Sequence, residues 1–367
     1  MFMSRPFAVV KEFLESCLAH APDRSADAAI PEWFAMRTHQ GNVRSENQDR
    51  AVMARWQDDG QTAWVLAVAD GIGGGSEGGA AAATALSAFI ADLLEFSDVS
   101  LPTHVERASR RANQTVHERW RGKEGSTLSA VGVRGEQRAW VNVGDSRIYG
   151  IDAQGGVSQL TQDDSLPLGR GLVQFIGIGQ GLVPHVGLIS PTHHLALITT
   201  DGVHQYVDLL LPALARTAQR NSSALVDRMV HIALWCGGED NATTAVGLLD
   251  SSQEGSQAAC DVWTPGQHHR LVLGCLDAPN ATASVSGSRK STKPRRTTPK
   301  RGNSPAASRS KSEPATVAST TTSPPPSDSE APPNDPSTHP DKRPDLQVTL
   351  EPITPGQDSP SSKQSDS

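Results

Sequence analysis

Three apolar runs in this chain end on an aspartate with a glycine beside it, and no other feature limits the fold as much. Val65-Leu66-Ala67-Val68-Ala69 runs into Asp70-Gly71, the run Leu195 to Thr200 into Asp201-Gly202, and Trp140-Val141-Asn142-Val143 into Gly144-Asp145. Two further aspartates directly precede strand-like runs: Asp49 before Ala51, and Asp240 before Thr244 to Leu249. Apolar runs this short, bounded by turn residues, read as buried strands. A carboxylate just beyond a buried strand lies at a sheet edge, where it can meet others. Several together repel one another unless cations neutralise them. Donors that are all oxygen, without His or Cys, select a hard cation, Mn2+ or Mg2+. Singly, each Asp-Gly or Gly-Asp is a turn signal; their joint recurrence is what points to a site.

Around these runs the chain alternates strands with helical patterns. Trp33 to Met36, Leu128 to Val133, Ala139 to Val143 and Arg147 to Ile151 read as strands. Gly79 to Phe96 and Val105 to Trp120 read as helices, and two more lie between Asp208 and Trp235 with a break near Asn221-Ser222. Many strands on short turns with paired helices imply layered α and β rather than strict βαβ repetition. Residues 1–31 form an N-terminal extension with an amphipathic helix, 32–250 the folded domain, and 251–277 a peripheral segment. In that segment Trp263 and Leu271-Val272-Leu273 either add a strand or dock on the domain. From 278 to 367 Ser, Thr, Pro and Lys dominate, which predicts a disordered tail too poor in apolar residues to offset the entropy of ordering. Its tract from Arg289 to Lys311 is basic and the rest, beyond Glu313, acidic. A solvated linker is the plain reading of that tract; contact with nucleic acid, membrane phosphates or an acidic partner is the functional one.

Several classes are excluded. The net charge of -7 makes no overall case for nucleic-acid binding, so such contact is confined to the basic tail. Cys17, Cys236, Cys260 and Cys275 form no C-x-x-C pair and none is followed by the Arg of a thiol-based phosphatase loop. No stretch reaches membrane-spanning length and the N-terminus lacks a signal peptide, so a cytoplasmic protein is expected. Gly73-x-Gly75-x-x-Gly78 matches a dinucleotide fingerprint, yet Asp70 and Glu77 would face a pyrophosphate and no βαβ unit follows.

Six motifs taken in order carry a more specific signal. Gly41-x-x-Arg44-x-x-Asn47-Gln48-Asp49 precedes Val68-Ala69-Asp70-Gly71-Ile72-Gly73-Gly74, then Gly125-Ser126-Thr127 and Asn142-Val143-Gly144-Asp145-Ser146-Arg147. Thr200-Asp201-Gly202 and Asp240-Asn241-Ala242-Thr243 complete the series. Over residues 33–249 the chain resembles the metal-dependent protein phosphatase family, type 2C, in its bacterial form. The resemblance implies an α+β fold: a four-layer α-β-β-α sandwich of two antiparallel sheets flanked by helices. It implies hydrolysis of phosphoserine and phosphothreonine on proteins by a hydroxide bridging two Mn2+ or Mg2+ ions. Asp70 would bridge the ions, Gly71 would lend its carbonyl, Asp201 and Asp240 would complete the second site, and Asp49 would hold metal-bound water. Asp145 matches the position that, with Asp201, supports a third ion in some members. Arg44 would clamp the substrate phosphate, and the partners would be a phosphoprotein, a Ser/Thr kinase or its targets.

The chain departs from the family at four points. Ile72 stands where eukaryotic members often carry a His, Gln48 replaces a frequent Glu, and Asp164 stands where a His is usual. Only Leu166 to Ile176 precede Gly177, so the family's mobile flap is expected to be short or absent. His193, His194 and His204 read as solvated or core residues rather than ligands. The competing reading is a non-catalytic, phosphatase-like binding or scaffolding module tethered by the basic tail. Loss of a core metal ligand would be its mark, and Asp70, Asp201 and Asp240 are all present.

Overall fold

A computed structural model describes residues 7–20, 24–58, 60–73, 76–95, 97–166, 171–218, 221–249 and 259–272. The tail from 278 onward, its basic tract included, lies outside the described residues.

Two antiparallel sheets carry the fold. One runs β1 (Ser25–Ile30), β2 (Phe34–His39), β13 (Ala242–Leu248), β12 (His193–Thr199), β9 (Arg147–Asp152) and β10 (Val157–Gln159). The other runs β11 (His185–Leu188), β8 (Gln137–Val143), β7 (Leu128–Arg134), β4 (Gln61–Ala69), β3 (Arg50–Asp58), β14 (Ala259–Thr264) and β15 (Gln267–Val272). A small ribbon pairs β5 (Gly71–Gly73) with β6 (Glu124–Ser126).

The period-2 geometry of a strand explains why β4 is apolar throughout. Its Trp64, Leu66 and Val68 face the other sheet, where they meet Phe34, Met36, Ile148 and Ile198. Val65, Ala67 and Ala69 point the opposite way, into a helical layer. A strand covered on both faces cannot alternate with polar residues, so it reads as one continuous run. The layer outside it consists of α1 (Phe7–Leu18), α2 (Gly78–Leu93) and α3 (Leu101–Trp120). Helix α2 is buried on almost every face; its run of alanines lets α1, α3 and the sheet all approach closely. Helix α3 begins with Pro102 in its first turn and ends at Arg121, whose φ of 56° is the left-handed conformation that stops a helix. On the outer face of the first sheet lie α4 (Asp201–Val207), α5 (Leu211–Ala218) and α6 (Ser222–Trp235). Asn221 caps α6, its side chain accepting from the Ala224 amide at 3.0 Å. This is the four-layer arrangement that the resemblance implied.

The structure adds detail to three of the sequence expectations. Residues 1–31 are not merely appended: α1 packs into the core through Val10, Leu14 and Leu18, and β1 pairs with β2 along its whole length. For the segment 251–277 the added-strand alternative holds in its described part: 259–272 supply β14 and β15, which extend the second sheet beyond β3. Thr200 precedes helix α4, which Asp201 and Gly202 open. Between β10 and β11 the chain folds back on itself, Leu166 N–H donating to the Gly171 carbonyl at 2.8 Å and Val173 N–H to that of Asp164 at 2.6 Å.

Candidate metal centre

Strand register brings the aspartates together. Arg50 pairs with Ala69, so Asp49, just before β3, and Asp70, just after β4, lie at the same end of the second sheet. Thr199 pairs with Thr244, so Asp201, after β12, and Asp240, before β13, share one end of the first sheet. Asp145 sits on the connection from β8 to β9, where the chain crosses between sheets. The two rims meet around an open cleft of about 720 Å³ lined by Arg44, Asp70, Gly71, Asp145, Asp201 and Asp240. Asp49 lies beside it, 2% exposed.

Asp70 is fixed through its own backbone. The Asp70 amide donates to Thr127 Oγ1 at 2.9 Å, and the Asp70 carbonyl accepts from Thr127 N–H and Ser126 Oγ, both at 2.9 Å. This is the work of the Gly125-Ser126-Thr127 motif. Gly71 can only be glycine: an added Cβ would lie 2.3 Å from the Gly78 carbonyl, where the first turn of α2 presses against β5. Gly41 combines a φ of 85° with an approach that would put a Cβ 2.2 Å from the Asp240 carbonyl oxygen. Asn241 ties the same loops together, its side chain donating to the Gln40 and Glu46 carbonyls and accepting from Gln48 N–H.

The charges are poorly satisfied by the protein alone. Thr200 Oγ1 donates to Asp49 Oδ2 at 3.0 Å, and Gln205 Nε2 to Asp201 Oδ2 at 3.0 Å. Asp49 Oδ1 and Asp201 Oδ1 are buried with no hydrogen-bond partner among the described residues. Burial, then the charges of Asp201 and Asp240, pushes Asp49 up to about 7. Burial with the four neighbouring aspartates raises Asp70 well above the carboxylate range. Asp145 rises to about 6 through burial and Asp201. Burial, then the charge of Asp240, raises Asp201 as well. Among the described residues no three of these side chains converge on one point at bonding distance; they line a shared space. Oxygen-only donors, two orphaned acid oxygens and mutual repulsion fit hard divalent cations.

One consequence is a pH dependence of the chelated protein. Asp49 and Asp145 hold protons in the folded state at pH values where unfolded aspartates, near 3.8, have lost them. Their contribution to stability is present in full below about pH 4 and lost as pH rises through 6 to 7. The melting temperature with chelator is therefore expected to be lower at pH 8 than at pH 5, and added Mn2+ at pH 8 to recover it. A chelated protein that melts higher at pH 8 would contradict this electrostatic account.

At the mouth of the cleft, Arg44 pairs with Asp240, Nη2 to Oδ2 at 2.6 Å, its side chain 57% exposed. Half-buried Ile72 supplies no titratable group to the wall, and Leu172 also lines the cleft. His204 is buried and pushed down to about 4 by burial, then by Arg147; none of His193, His194 and His204 lines the cleft. Asp164, standing where the family usually has His, accepts from Gly144 N–H at 2.9 Å and pairs with His185 Nε2 at 2.7 Å. The sequence motifs contained Thr127, Thr200, Thr243 and Asn241 without assigning them work. Hydroxyls and amides that hold carboxylates across the sheets have no local signature.

The sequence model of protein phosphatase 2C matches residues 38–207. No curated protein matches. Among solved structures, the Mycobacterium tuberculosis serine/threonine phosphatase PstP/Ppp is 23% identical, covering 59% of this chain and 98% of that one, with a TM-score of 0.50. The S. agalactiae serine/threonine phosphatase is 21% identical over 59% of this chain and 99% of that one, with a TM-score of 0.51. These two likenesses establish the fold. The PPM Ser-Thr phosphatase MsPP of Mycobacterium smegmatis is 31% identical over 60% of this chain and 100% of that one, with a TM-score of 0.49. With the family's sequence model matched and the fold shared, the chain belongs to the protein phosphatase 2C family.

Proposed function

We propose that the chain is a metal-dependent protein-serine/threonine phosphatase, a hydrolase of phosphoric monoesters. The observation that carries this is the convergence of aspartates from the rims of both sheets on one cleft with Arg44 at its mouth. Asp70, the Gly71 carbonyl, Asp201 and Asp240 would hold two Mn2+ or Mg2+ ions, with Asp49 behind them; Asp145 with Asp201 would hold a third. When bound, the cations supply Lewis acidity to the phosphoryl group and to water.

The chain's own residues bind and orient. Arg44 is a fork of donors already aimed at an acidic oxygen, Asp240 Oδ2, and a phosphate presents the same acceptor geometry. Because Arg44 is more than half exposed, its guanidinium can turn from Asp240 to substrate. The protein supplies no proton donor at position 72, so solvent protonates the departing seryl or threonyl oxygen. The cleft is open, which suits a phosphorylated residue on a protein chain better than a small metabolite enclosed on all sides. The partners proposed are therefore phosphoproteins, among them a Ser/Thr kinase or its targets, in the cytoplasm; no helix among the described residues is long and apolar enough to cross a membrane.

Arg44→Ala tests the clamp. A loss of about 10²-fold in kcat/KM on a phosphothreonine peptide is expected, as for removal of one preorganised donor, with Mn2+ affinity not weakened. Collapse of metal affinity instead would make Arg44 a structural prop for Asp240.

A further inference from the structure

Next to Asp49 lies a cation that the chemistry above does not use. Arg50 is 9% exposed, and its three side-chain hydrogen bonds among the described residues go to backbone carbonyls. Nη1 donates to the carbonyls of Asn47 and Asp49, both at 2.8 Å, and so closes the turn that carries the Asp49 carboxylate. Nε donates to the Leu18 carbonyl at 2.7 Å. Leu18 is the last residue of α1, where carbonyls have no intrahelical partner and the helix dipole favours a cation. The guanidinium also rests on the first turn of α2: a Cβ added at Gly79 would lie 2.8 Å from Nη2. That same turn presses on Gly71. One side chain thus touches the end of α1, the Asp49 turn and the helix start that backs Gly71.

Helix α1 is anchored from its other side as well. Glu15 accepts from Thr84 of α2 and Arg119 of α3, both at 2.8 Å, and Phe7 lies under the Arg111 guanidinium at 3.4 Å. Leu14, fully buried, enters the core between them.

We propose that Arg50 is a positioning residue through which docking of α1 holds the Asp49 turn and Gly71 in place for divalent metal, so that detaching α1 weakens metal affinity. The N-terminal helix is then a control element for the cleft, able to act without touching substrate. This rests on the reading of the cleft as a metal centre.

The test uses the full chain and measures Mn2+ affinity by calorimetry, alongside amide exchange of α1. Arg50→Ala is expected to weaken Mn2+ binding about 10- to 100-fold, the range for residues that orient metal ligands, with Arg50→Lys recovering part of the loss. Glu15→Arg and the more severe Leu14→Asp, which place repulsion or a buried charge under α1, should raise exchange in α1 and weaken Mn2+ binding about tenfold. Combined with Arg50→Ala they should cost nothing further, because α1 acts through Arg50. If Arg50→Ala fails to fold, Arg50→Lys takes its place in the cycle. An α1 detached by exchange with Mn2+ affinity unchanged overturns the proposal, as does a double variant whose losses simply multiply. Wild type that binds no Mn2+ at all would instead overturn the metal-centre reading.

Discussion

Asp70→Asn is expected to lower phosphate release from a phosphothreonine peptide by at least about 10³-fold, since it removes the central charge on which the metals' contribution depends. The side chains are isosteric, and the backbone at this position is fixed independently by Ser126 and Thr127. Asp70 also sits among Asp49, Asp145, Asp201 and Asp240, all of which repel it. Neutralising it should therefore leave the melting temperature of the chelated protein unchanged or raise it. Lost activity with retained or increased stability separates a site residue from a structural one. Activity within tenfold of wild type would remove Asp70 from the site.

The second large effect lies in the core between the sheets. Trp64→Ala is expected to cost about 3–5 kcal/mol of stability, the range for large-to-small changes at buried aromatics. Trp64 is 1% exposed and packs from β4 across to β13, where a Cβ at Gly247 would lie 3.5 Å from its ring. Its indole Nε1 has no hydrogen-bond partner among the described residues, so its contribution comes from packing. Denaturant unfolding measures this directly; a cost below about 1 kcal/mol would mean the sheets close over the gap with little penalty.

Much of this fold could be read from the chain, and the failures have physical causes. β4 and β12 are covered on both faces and show as unbroken apolar runs; α2 shows as an alanine-rich helix. β1, Ser25–Ile30, is half exposed with small side chains, so nothing in its pattern favours a strand. β14 and β15 were left open between an added strand and a docked segment, because what holds them is a non-local pairing: Asp261, 1% exposed, with Arg55 and Arg270. α4 was hidden because Thr-Asp-Gly is a turn signal until the strand before it and the helix after it are known. In the cleft, the strand-end aspartates and Arg44 were legible because position along a strand dictates where the side chain emerges. Thr127, Thr200 and Thr243 were not, because their partners lie on distant segments, Asp49 being 151 residues from Thr200; nor was Arg50, whose partners are the backbone carbonyls at the end of α1 and in the turn just before it.

The central claim is that the clustered aspartates work through divalent metal. The most direct measurement is phosphate release from a phosphothreonine peptide by the full chain, with Mn2+ and with excess chelator. Turnover with Mn2+ that stops on chelation and returns on adding Mn2+ back is the predicted result. Turnover indifferent to chelator, or none with Mn2+ or Mg2+ from a chain shown to be folded, would contradict it.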